Sequence, residues 1–115
     1  MKIKIKDYEF ELRYSMRMFI NYEAIMKKSL EPDDLKNYTN FIALFFSCII
    51  SSAQYHKIQL NISYEDFINW VDDNGGEVKL LEFGKWYMEA AQANAILIQS
   101  ITTSEEGSNK EEKKS

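Results

Sequence analysis

The ten residues Phe41-Ile-Ala-Leu-Phe-Phe-Ser-Cys-Ile-Ile50 constrain this chain more than any other segment. They are apolar in nearly every direction, so the element that carries them must be surrounded by the rest of the molecule. The run is about half of the roughly 20 residues a bilayer-spanning helix needs, so it reads as the middle of a core and no membrane partner is expected. On a helix, Tyr38, Ile42, Phe45 and Ile49 make one stripe and Phe41, Phe46 and Ile50 add others, leaving a narrow strip of Ala43, Ser47 and Ser51. Four glycines and one proline in 115 residues leave few turn formers. That scarcity disfavours a many-stranded sandwich or barrel and favours long helices.

The expected fold is mostly α, with an N-terminal β-hairpin packed on a bundle of about four helices. Lys2 to Tyr14 alternates: Ile3 and Ile5 oppose Lys2, Lys4 and Lys6, and after a break at Lys6-Asp7, Tyr8, Phe10, Leu12 and Tyr14 oppose Glu9, Glu11 and Arg13. Such alternation gives a half-buried antiparallel hairpin, which is marginal alone and must rest on helices. Ser15 is placed to cap a helix from Met16 to about Lys28, with Lys27-Lys28 at the negative end of its dipole. A second helix is expected from Pro32 to about Tyr55, opened by proline and Asp33-Asp34. Gln54 to Ile62 reads as a connector. Ser63-Tyr-Glu-Asp66 resembles a capping box opening a helix through Phe67, Trp70 and Val71, and Asn74-Gly75-Gly76 closes it. The last helix is expected from about Glu77 to Ile101, so that residues 1–101 form one domain. Residues 102–115 hold no large apolar side chain and read as a charged tail without regular structure.

A search for chemistry yields little. His56 is the only histidine and has no second histidine or cysteine at ligand spacing, so it reads as a surface residue. Cys48, the only cysteine, lies mid-run in the apolar helix, where free cysteine behaves as a small hydrophobe. It leaves no intramolecular disulfide and suits a reducing compartment. Asp33-Asp34 and Asp72-Asp73 sit where helix ends and turns favour charge. No glycine-rich phosphate loop, nucleophile elbow or dinucleotide fingerprint is present. An enzyme, a metal and a cofactor are therefore not expected. Asp and Glu number 18 against 14 Lys and Arg, a net charge of -4. This is the wrong balance for gripping phosphate backbones, so no nucleic acid is expected. The opening Met1-Lys-Ile-Lys4 lacks the continuous apolar region of a signal peptide, so a cytoplasmic location is expected.

The last helix carries two apolar stripes: Leu81, Gly84, Met88, Ala91, Ala95, Ile98, and Phe83, Trp86, Ala90, Ala93, Leu97, Ile101. Ile96 interrupts the polar stripe drawn by Lys85, Glu89, Gln92 and Gln99. Either the end of this helix is buried under the hairpin or the second helix, or it packs against another chain, as exposed apolar patches do. On the second reading Trp86, Ile96, Leu97 and Ile101 are the candidate protein-binding residues, for a client or for a second copy in a homo-oligomer.

The order of elements, with the stretches Glu11-Leu-Arg-Tyr-Ser-Met-Arg-Met-Phe-Ile-Asn-Tyr-Glu23 and Ser63-Tyr-Glu-Asp-Phe-Ile-Asn-Trp-Val-Asp-Asp73, resembles the tail assembly chaperones of long-tailed bacteriophages and prophages over roughly residues 2 to 90. The resemblance implies a non-enzymatic protein of the bacterial host cytoplasm that binds the aggregation-prone tape measure protein and keeps it soluble while the tail tube assembles. It also implies, for many members, a longer form made by ribosomal frameshifting. The alternative from another class is a small helical DNA-linked regulator or toxin–antitoxin-type partner protein.

Overall fold

The computed structural model describes the backbone of residues 1–114 and the side chains of residues 1–95. Strands β1 (Lys2–Ile5) and β2 (Tyr8–Glu11) form an antiparallel hairpin, followed by α1 (Met16–Met26), a 3₁₀ turn (Pro32–Lys36), α2 (Tyr38–Tyr55), α3 (Tyr64–Asp73) and α4 (Glu77–Lys114). The architecture is mostly α with an N-terminal hairpin packed on the helices, as the patterning leads one to expect.

In the hairpin, Ile3 pairs with Phe10 and Ile5 with Tyr8, while Lys2 faces Glu11 and Lys4 faces Glu9. The alternation thus buries Ile3, Ile5 and Phe10 and leaves the charged rows in solvent. The turn Lys6-Asp7 needs no glycine because Lys6 itself adopts a positive φ of 54°. Trp70 Nε1 donates to the Lys4 carbonyl at 3.0 Å and Lys6 Nζ to the Asn61 carbonyl at 3.0 Å. These bonds tie the hairpin to α3 and to the segment before it.

Helix α2 is the centre. Its residues 43–49 and 51–53 are all buried. The hydroxyls this submerges are satisfied locally: Ser47 Oγ donates to the Ala43 carbonyl at 2.7 Å and Ser51 Oγ to the Cys48 carbonyl at 3.0 Å. Around α2 the core is aromatic. Phe45 stacks on Phe83 of α4 with ring centroids 4.2 Å apart, and meets Phe67 of α3 edge-on at 5.2 Å. Three helices are thereby joined through one ring.

Several local expectations are corrected. The second helix does not run unbroken from Pro32. Asn37 is extended (φ -124°, ψ 138°) and caps α2 by accepting from the Asn40 amide at 3.0 Å. Pro32–Lys36 is a separate turn because Asp34 is drawn inward rather than left at a helix end. α1 stops at Met26: Lys27 takes the left-handed conformation (φ 60°) and its N–H bonds the Glu23 carbonyl at 2.8 Å. Ser15 occupies the N-cap position, but its side chain makes no capping bond. Helix α3, by contrast, has its capping box: Ser63 Oγ accepts from the Asp66 amide at 3.0 Å and Asp66 Oδ2 from the Ser63 amide at 3.3 Å. Gly75 and Gly76 follow with φ of 115° and 57°, the backbone region that lets the chain reverse into α4.

Helix α4 continues to Lys114, past the expected end near Ile101. Residues 102–114 contain no proline and are rich in Glu and Lys, whose helix propensity is high.

Candidate functional site

Two clusters deserve separation. The first surrounds Asp34, a buried carboxylate. Lys28 Nζ donates to its Oδ1 at 2.6 Å and Asn40 Nδ2 to the same oxygen at 3.0 Å. The Glu31 amide donates to Oδ2 at 2.9 Å and the Tyr22 hydroxyl to it at 3.3 Å. The Lys28 hydrogen bond, then that from the Glu31 amide, holds the carboxyl below its ordinary range. The Tyr22 hydroxyl moves the other way, up to about 12, chiefly through burial and then through the adjoining carboxylate. Every lone pair facing inward is met, so this cluster is a clamp joining α1, the 3₁₀ turn and α2. The sequence places Asp34 in a solvated helix end; the structure places it inside.

The second cluster is an apolar groove of about 430 Å³ between the 3₁₀ turn, the start of α2 and the first turns of α4. Buried Leu80 and Tyr87 and half-buried Phe41 and Gly84 form its floor. Tyr38 on one side and Leu81 and Met88 on the other stand 59%, 68% and 60% exposed. Lys36, Asn37, Glu77 and Lys85 complete the rim. The Tyr38 hydroxyl donates to Glu77 Oε1 at 2.8 Å, bridging α2 and α4 beside the groove. Val78, also exposed, extends the apolar surface one turn before Leu81.

The groove exists because only one face of α4 is used internally. Leu80, Phe83 and Tyr87 recur at helical spacing and bury themselves against the core. Leu81 and Met88, on the neighbouring stripe, are left outside. Gly84 between them lets the Phe41 ring come close: a Cβ there would stand 3.1 Å from Phe41 Cζ.

Of the residues expected to bind a partner, Trp86 is half-buried and packs on the core, its ring 5.9 Å from that of Phe83. The side chains of Ile96, Leu97 and Ile101 lie outside the described residues. Leu81, Met88, Tyr38 and Phe41, which line the groove, are not among the residues that the sequence pattern assigns to binding. The signal was present in the sequence, since an outer helix cannot bury two apolar stripes against a domain this small.

Cys48 lies in the core, its thiol 3.5 Å from the Arg13 carbonyl and its pKa pushed up to about 12 by burial. His56 is exposed at the end of α2, with Nε2 3.3 Å from the Glu11 carbonyl. Among the described residues no group of His, Cys, Asp and Glu is arranged to hold a metal ion, and no helix is long and apolar enough to cross a membrane. No protein-family model, curated protein or solved structure matches the chain.

Proposed function

We propose that this chain is a non-enzymatic tail assembly chaperone that holds an apolar segment of the tape measure protein in the groove beside α4. The observation carrying the reading is the pair Leu81 and Met88, more than half exposed on either side of Gly84 in an apolar groove. Isolated exposed apolar residues are ordinary, but several around one concavity mark a binding surface. A helical client with large apolar residues three or four apart would lay them on Phe41, Leu81 and Met88. The client itself is taken from the resemblance of the hairpin, the Glu11–Glu23 stretch and the Ser63–Asp73 stretch to the chaperone family.

The test is co-expression with a tape measure protein of a long-tailed bacteriophage, reading how much of it stays in the soluble fraction. The native chain is expected to raise that fraction severalfold and the double variant L81S/M88S to lose the gain. Equal solubilisation by both proteins would remove the groove from the proposal.

A further inference from the structure

On the side of the molecule where α1 begins, Arg13, Ser15, Arg17, Ser51, Gln54 and Tyr55 line a second, polar pocket of about 260 Å³. None of these six residues is acidic. Neither arginine has an ion-pair partner among the described residues, although the chain as a whole carries a net charge of -4. Two guanidinium groups on one concavity without a carboxylate between them repel each other, an arrangement that a bound anion relieves.

The placement of Arg13 is fixed from two sides. Its backbone N–H donates to Ser52 Oγ at 2.9 Å and its carbonyl accepts from the Cys48 thiol at 3.5 Å, so residue 13 is moored on α2. Its guanidinium carbon lies 3.4 Å from the centre of the Tyr55 ring. Stacking occupies the face of the guanidinium and leaves the N–H donors on its edge available. Arg17 is the second residue of α1, two positions after the N-cap Ser15, whose hydroxyl is not used as a helix cap.

We infer that this pocket binds a phosphate group, free or as a small monoester, through the edges of Arg13 and Arg17 and the Ser15 hydroxyl. Two guanidinium groups lining one pocket offer enough N–H donors for a tetrahedral dianion, whereas one arginine satisfies a single carboxylate by itself. The first amides of α1 add the partial positive charge of a helix start. The volume is below that of drug-sized ligand sites and admits a small anion. This site is separate from the groove beside α4 and stands whether or not that groove holds a client.

The experiment follows the backbone amide signals of Met16 and Arg17 by NMR while inorganic phosphate, glycerol 3-phosphate or acetate is added at constant ionic strength. Saturable shifts with either phosphate at millimolar concentration are expected, with acetate at least tenfold weaker. Tighter binding of glycerol 3-phosphate than of inorganic phosphate identifies a monoester as the ligand, and equal binding identifies the free ion. R17Q, which leaves the Arg13 stack and its moorings in place, should weaken the response about tenfold, and R13Q/R17Q should abolish it. A linear, unsaturable response in the native chain, equal binding of acetate, or unchanged binding in R17Q would overturn the assignment.

Discussion

The edge of the Phe41 ring lies 3.1 Å from the point that a Cβ on Gly84 would occupy. α2 and α4 therefore meet across bare backbone, and the ring doubles as the floor of the groove. G84A adds roughly 1 kcal/mol of helix propensity but pushes the half-buried ring toward solvent. Its stability in urea is expected within about 1 kcal/mol of the native chain, while client solubilisation falls because the groove is shallower. A variant that solubilises the client as well as the native chain would show that the groove floor plays no part.

Surface and core on α4 should separate cleanly. L81S and M88S remove exposed side chains and are expected to change stability by no more than about 0.5 kcal/mol each. F83A removes a fully buried ring stacked on Phe45 and should cost roughly 3–5 kcal/mol. Urea midpoints on the three variants check this, and a large loss in L81S would contradict the assignment of that face to solvent.

Stability should fall at both ends of the pH scale, for different groups. Asp34 ionises below its ordinary value in the folded chain, so its contribution is complete above about pH 4 and is lost as pH drops through the lower folded value. Tyr22 and Tyr87 hold their protons to about 12 when folded, against about 10 in an unfolded chain. Their contribution is complete below about pH 10 and disappears as pH rises through about 12. D34N should lower the thermal midpoint by roughly 5 °C at neutral pH, flatten the acid limb, and weaken the Tyr22 part of the alkaline limb while leaving the Tyr87 part in place. Thermal melts across the pH range read all three effects.

Cys48 should be silent to thiol reagents until the domain opens. Its side chain is buried and its thiol ionises only near pH 12, so labelling at mildly alkaline pH is expected to proceed at the rate of unfolding. Rapid labelling under native conditions would show that α2 is not the sealed centre described above.

How much of this was legible beforehand depended on the range of the interaction. The hairpin, the burial of the middle of the 41–50 run and the Ser63–Asp66 cap follow from spacing within a few residues, and all three appear. What escaped were arrangements settled by distant partners. Asp34 looks like a helix-start residue until Lys28, Tyr22 and Asn40 are brought round it. Leu81 and Phe83 are both apolar residues on one helix, and only the position of Phe45 decides which of them turns inward. The use of Gly84 likewise depends on Phe41, far away in the chain.

The bond from Trp70 to the Lys4 carbonyl joins residues 66 positions apart. During synthesis the hairpin emerges well before the indole that anchors it, and before the α2 face on which Ile3, Ile5 and Phe10 come to rest. A two-stranded hairpin does not hold by itself in water, so until α2 and α3 have followed it the apolar face of the hairpin is unsheltered. The lysine row of β1 and the glutamate row of β2 meanwhile disfavour pairing of either strand with its own copy in another chain, before α3 arrives.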